Sequence, residues 1–270
     1  MTIQELFAAP VHIQRDITYV DRDPDDRHRL DVYSPPEASS LPVVIFFYGG
    51  GWRSGDKRLF EHLGRAFATR GIVAVTVNYR LTPAVTSPAH VQDCAAACAW
   101  VQSNIATHGG DSRRIVLCGH SAGAHLATLL AVDDRFLNAV GFDTTSICGV
   151  VAISGVYDLT EHVGSTVFTS AEHVREAFGN SESELLIASP VKYIKAGLPP
   201  FLVMVAEDDP AGLRAQGKDF SDAIRDVGTN AMFVSIKGRD HFSIVRRFGP
   251  STDTTATAIA EFVHHICPAT

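Results

Sequence analysis

Six short runs rich in Val, Ile and Phe recur along this chain with helix-like stretches between most of them, and that alternation constrains the fold more than any other feature. LPVVIFFY (41–48), GIVAVTVNY (71–79), RIVLC (114–118), ICGVVAIS (147–154), PPFLVMVA (199–206) and AMFVSIK (231–237) carry almost no polar residue at alternate positions. A strand covered on one face alternates apolar and polar residues, whereas continuous apolar runs mark strands covered on both faces of a parallel sheet. The intervening segments KRLFEHLGRAFATR, PAHVQDCAAACAWVQSNIATHG, SAGAHLATLLAV and LRAQGKDFSDAIRDVG have helical spacing. Together they give βαβ units: one α/β domain over residues 1–270, a mostly parallel central sheet and helices on both faces. ITYV and RLDVY, flanking the turn-rich DRDPDD, read as an antiparallel hairpin at the sheet edge. Residues 157–195 contain no buried-strand run and read either as a small lid over the sheet's carboxyl edge or as a surface excursion.

Composition then removes several functions. The net charge of −7, with no dense Lys/Arg run, excludes a surface that tracks nucleic-acid phosphates. No stretch approaches the roughly 18 uninterrupted apolar residues of a spanning helix, and the first residues resemble no secretory leader, so the expectation is a cytoplasmic protein without a membrane partner. The cysteines, Cys94, Cys98, Cys118, Cys148 and Cys267, sit mostly in apolar runs; Cys94 and Cys98 share a helical spacing but lack the second pair a zinc site needs, so neither disulfide nor metal is expected. Nothing fixes the oligomeric state, and a homodimer is compatible with the sequence.

The chemistry concentrates in RIVLCGHSAGAHLATLL (114–130). Gly119, Ser121 and Gly123 form G-x-S-x-G directly after an apolar strand run and directly before an apolar helix. A sharp strand-to-helix turn of this kind strains the serine backbone, lifts its hydroxyl to the sheet edge, and sets it at a helix N-terminus that favours developing negative charge. A serine merely capping a glycine-rich helix start would write the same five residues. FFYGGGWRSGDK (46–57) supplies a second element: backbone N–H groups of Gly50 and Gly51, with that of Ala122, could hold an oxyanion. Its spacing is not that of a phosphate-binding loop.

A serine hydroxyl needs a histidine to take its proton and a carboxylate to orient that histidine. In hydrolases built around this elbow the order is Ser, acid, His. His241, His264 and His265 satisfy that order; the last two fall in a terminal helical stretch, leaving His241 in KGRDHF as the base. Glu207, Asp208 and Asp209 all follow FLVMVA. Asp209 is preferred, Asp208 second, and the neighbouring Asp240 reads as a loop cap. Tyr48, Trp52, Tyr157 and Phe242 would line an apolar substrate pocket. His125, a turn beyond Ser121, would face either the pocket or the sheet.

GGGW, GDK, GHSAGAHLA, ISGVYDL, AEDDP with Gln216, and GRDHF together resemble the hormone-sensitive-lipase-like and kynurenine-formamidase-like carboxylesterases of the α/β-hydrolase superfamily, over about residues 27–266. The resemblance implies a cofactor-free esterase acting on short acyl or aryl esters through an acyl-enzyme, or an aryl-formamidase acting on N-formylkynurenine-like amides. It also supports Asp209 over Asp208. The family usually begins its oxyanion loop with His-Gly-Gly where this chain has Tyr48-Gly49-Gly50, so Tyr48 either braces the loop through its hydroxyl or lines the pocket. A hydrolase-fold binding protein is the remaining alternative, although such proteins commonly lose a triad member and this chain offers all three.

Overall fold

The computed structural model describes residues 2–20, 26–161, 171–249 and 252–268. Eight strands form one sheet: β1 His12–Thr18, β2 Arg29–Ser34, β3 Leu41–Phe47, β4 Val73–Val77, β5 Gly110–His120, β6 Ile147–Ile153, β7 Phe201–Ala206 and β8 Ala231–Ile236. Their spatial order is β1-β2-β4-β3-β5-β6-β7-β8, with β2 antiparallel to both neighbours and every other pair parallel. β3, β4 and β7 are buried along nearly their whole length, as continuous apolar runs require when helices cover both faces.

The helices are α1 Ile3–Ala8, α2 Glu61–Ala68, α3 Ala89–Asn104, α4 Ala122–Val132, α5 Asp134–Ala139, α6 Ala171–Phe178, α7 Glu182–Ile187, α8 Ala211–Asp226, α9 Ser243–Arg246 and α10 Thr254–Ile266. α2 packs with α10, and α3 with α4 and α5, while α8 covers β7 and β8. α4 is buried at every position from Ala122 to Val132, so it runs through the core and not across the surface. No described helix is long and apolar enough to cross a membrane.

Two expectations need correction. The first strand lies earlier than ITYV: it begins at His12, and the β1–β2 register slips between Gln14 and Ile17, where Asp16 takes a positive φ of 58°. This is a β-bulge at the sheet edge. AMFVSIK is likewise not a doubly covered strand, because β8 closes the opposite edge and leaves Met232 half exposed. Of residues 157–195, the described parts are short helical turns packed onto the domain; residues 162–170 fall outside the described residues.

The bulge has a partner far along the chain. Lys57, buried at the start of the 3₁₀ turn Lys57–Phe60, sends its ammonium to Asp31 Oδ1 at 2.5 Å and to Asp16 Oδ1 at 2.6 Å. Its backbone N–H donates to Asn78 Oδ1 at 2.7 Å. A buried ammonium persists only when paired and hydrogen-bonded. Lys57 thereby ties the segment after the glycine loop to the edge hairpin.

Candidate active site

The carboxyl ends of four adjacent strands, β5 to β8, carry the side chains of the candidate site. β5 runs into Ser121, whose φ of 54° and ψ of −119° lie outside the ordinary regions for an L-residue. The conformation is held by a bond from the Ser121 N–H to the Ile153 carbonyl at 2.8 Å and by the His125 N–H on the Ser121 carbonyl at 3.1 Å. The elbow glycines are dictated by contact. A Cβ on Gly119 would sit 2.2 Å from the Gly123 carbonyl oxygen, and one on Gly123 would sit 2.0 Å from that of Phe47.

His241, in the loop after β8, brings its Nε2 within 3.0 Å of Ser121 Oγ and its Nδ1 within 2.8 Å of Asp209 Oδ1. This is the donor–acceptor chain in which the serine O–H donates to imidazole and the imidazole N–H donates to a carboxylate. Asp209 is buried, whereas Glu207 and Asp208 are exposed at the same strand end; Glu207 accepts the Gly238 N–H at 2.9 Å. Asp240 caps α9 by accepting the Phe242 and Ser243 N–H groups. His264 contacts the Arg70 carbonyl, well away from Ser121 in the chain's terminal helix α10.

Burial pushes the Asp209 carboxyl upward, but hydrogen bonds from His241, from the Ser154 hydroxyl at 2.6 Å and from the Ala206 N–H at 2.7 Å outweigh it and hold the group below the usual carboxylate range. It is therefore an anion at neutral pH, as an orienting carboxylate must be. Ser154 and His120 were not anticipated from sequence. Ser154 stands at the end of β6 with a positive φ of 49°, which aims its hydroxyl at Asp209. His120, the residue before Ser121, lies 2.8 Å through Nε2 from the His241 carbonyl and so donates to it. Burial, reinforced by the neighbouring His241, lowers the His120 pKa to about 3, keeping that ring neutral.

The glycine loop follows β3. The Gly50 carbonyl accepts the N–H groups of Arg53 and Ser54 and the Ser54 hydroxyl, all at 3.1 Å. In a trans peptide the next N–H points opposite to that carbonyl, so the Gly51 N–H is directed away from the loop's own turn. Gly50 and Gly51 take φ of 137° and 60°, and both line the same cavity as Ser121 and His241. Ala122 is the first residue of α4, so its N–H has no acceptor within the helix.

The cavity measures about 530 Å³ and is bounded by the glycine loop, by Leu59, Phe60 and His62, and by Phe242, Val245 and Arg246. Of the four aromatics expected on its wall, only Phe242 is there. Tyr48 is fully buried, stacked between Tyr79 and Phe60, and its hydroxyl accepts from Arg27, which also donates to the Gly55 carbonyl at 3.0 Å. It braces the loop and does not line the cavity. Trp52 is buried edge-on to His125 and Phe178, and Tyr157 is buried flat against Phe220. The reasons are local: Trp52 itself has φ of 58°, turning its side chain inward, and the Tyr157 N–H is held by the Gln216 side chain at 2.8 Å. His125 is also core, its Nε2 bonded to the Ala188 carbonyl at 2.8 Å. Among the described residues no cluster of three or more His, Cys, Asp or Glu is placed to hold a metal ion.

Residues 30–224 match the family model described as BD-FAE. The chain is 33% identical to the esterase LipQ of Mycobacterium tuberculosis over 87% of its own length and 58% of that protein. It is 31% identical to the kynurenine formamidase of Danio rerio, over 81% of the chain and 72% of the relative. Against the Arabidopsis thaliana isoprenylcysteine alpha-carbonyl methylesterase the match spans 56% of the relative, so the chain covers little more than half the length of several curated relatives. Among solved structures, an esterase of Pyrobaculum calidifontis superposes with a TM-score of 0.80 and 26% identity, covering 99% of this chain and 90% of that one. With its sheet order, its elbow and these relatives, the chain belongs to the BD-FAE family and has the α/β-hydrolase fold.

Proposed function

We propose that this protein hydrolyses carboxylic esters, with Ser121 as nucleophile, His241 as general base and acid, and Asp209 as the orienting anion. The observation that carries this reading is the continuous bond chain from Ser121 Oγ through His241 to Asp209 at 3.0 and 2.8 Å, opening on a cavity walled by the glycine loop. As Oγ attacks the carbonyl carbon, its proton passes to His241 Nε2 and the carbonyl electrons move onto oxygen. That oxygen, now negative, is held by the N–H groups of Gly50, Gly51 and Ala122, each worth about 3 to 4 kcal/mol in such a site. The carbon–oxygen bond to the alcohol then breaks, and the leaving oxygen takes the proton from Nε2. Water repeats the sequence on the acyl-Ser121 ester, releasing acid and restoring the hydroxyl. Asp209 holds the imidazole in the tautomer that presents Nε2 unprotonated to the serine, and it stabilises the imidazolium that forms.

The same groups would cleave an aryl formamide, a reading supported by the similarity to a kynurenine formamidase. Rates on N-formylkynurenine beside a panel of acyl and aryl esters rank the two. Replacing Ser121 with Ala removes turnover of a short-chain p-nitrophenyl ester and labelling by a fluorophosphonate. A variant that retains wild-type turnover refutes the assignment, and a wild-type chain that neither turns over nor labels refutes the hydrolase reading.

A further inference from the structure

In a chain of net charge −7, the permanent charge on the catalytic cavity's wall is positive. Among the described residues lining it, Arg246 alone is permanently charged. Arg246 is exposed, its guanidinium carbon lies 5.0 Å from the Phe242 ring centre, and no described carboxylate pairs with it. The arginines in and just after the glycine loop differ: Arg53 is paired with Glu176, and Arg58, in the 3₁₀ turn that follows, with Asp56 at 2.9 Å. Phe242 and Leu59, at 42% and 67% exposure, are large apolar side chains left open at the same cavity.

Position relative to the chemistry decides what this cation meets. The leaving oxygen has to reach His241 Nε2 to be protonated, so the alcohol half of the ester lies along the element that carries His241. That element continues directly into Phe242 and α9, whose last residue is Arg246. A planar guanidinium held over an aromatic face presents its donor fork to a carboxylate and discriminates weakly among neutral groups.

We propose that Arg246 is a specificity-determining residue selecting esters whose leaving alcohol is aromatic or apolar and carries a carboxylate. The proposal rests on the ester-hydrolase reading above and adds the charge of the leaving group to it. Phe242 supplies the apolar contact and Arg246 the charge, and among the described residues no carboxylate lines the cavity beside them.

The test uses 3-acetoxybenzoate and its methyl ester, which share an acetyl group and differ in charge on the leaving phenol. The readout is the ratio of their kcat/KM values, compared between the wild type and Arg246→Gln so that intrinsic reactivity cancels. The ratio falls about five- to tenfold in Arg246→Gln, chiefly through KM for the acid, as expected for a partly solvated charge pair. Arg246→Lys retains part of the preference, and raising salt to about 0.5 M erodes it in the wild type. An equal ratio in wild type and Arg246→Gln, with p-nitrophenyl esters still cleaved by both, overturns the charge selection alone. A wild-type chain that cleaves none of these esters overturns the hydrolase reading and this proposal with it.

Discussion

Replacing Ser154 with Ala removes one hydrogen bond from Asp209, the carboxylate proposed to orient the base, and the size of the effect can be worked from the surroundings. Ser154 and Asp209 are both buried, and their bond is 2.6 Å long with a charged acceptor. Bonds to charged groups are worth about 1.5 to 3 kcal/mol. Asp209 keeps the Ala206 N–H on Oδ2 and His241 on Oδ1, so the imidazole stays in place and the loss is partial. If about half of that energy acts in the transition state, kcat/KM falls about three- to tenfold, at about 1.4 kcal/mol per factor of ten. Stability falls by about 1 to 2 kcal/mol. Ser154→Gly is the informative companion. It loses the same bond but relieves the positive φ of 49°, so it matches Ala in kcat/KM while recovering up to about 1 kcal/mol in stability. The assay is ester hydrolysis at neutral pH beside thermal unfolding of the three proteins. Wild-type kcat/KM in both variants refutes the claim that Ser154 supports the catalytic carboxylate.

Asp209→Asn lowers kcat by about 10⁴, the scale for a triad whose orienting anion is lost; exposed Asp208→Asn leaves kcat near wild type, and the reverse ranking in steady-state assays would reassign the acid. Buried His90, His120 and His125 have pKa values lowered to about 4, 3 and 4, in each case chiefly by burial. Because the unfolded chain takes up these protons below about pH 6.5 and the folded chain does not, unfolding is favoured as pH falls from about 6.5 toward 4, by at most about 1.4 kcal/mol per pH unit for each ring. Urea midpoints measured at intervals across that window fall steadily; a flat profile contradicts the neutral buried rings. Paired carboxylates such as Asp209 contribute their own loss only at lower pH, below the unfolded carboxylate range.

The sheet, the turn at Ser121 and the placing of His241 beside it were legible because each is written locally: apolar runs of strand length, a serine between glycines, and a histidine in the loop after the last strand. Asp209 was separable from Asp208 by resemblance and is separated physically by burial. Ser154 and His120 were not legible, because their roles depend on a positive φ in one case and on a carbonyl over a hundred residues away in the other. Tyr48, Trp52 and Tyr157 neighbour the site in sequence, yet backbone geometry turns each into the core; proximity along a chain does not state direction. AMFVSIK misled for a related reason, since an apolar edge strand and a doubly covered one have the same composition.

Lys57 bears on how the proposed catalytic apparatus could be moved to another scaffold. The glycine loop leaves β3 at one end and, just past Asp56, is moored at the other to Asp16, Asp31 and Asn78, which lie on or beside three different strands. A graft of residues 46–57 alone would carry the proposed oxyanion donors without their anchorage, and would leave a lysine without its two aspartates. The transferable unit is therefore discontinuous: the loop, the bulged edge hairpin and the end of β4 travel together or not at all.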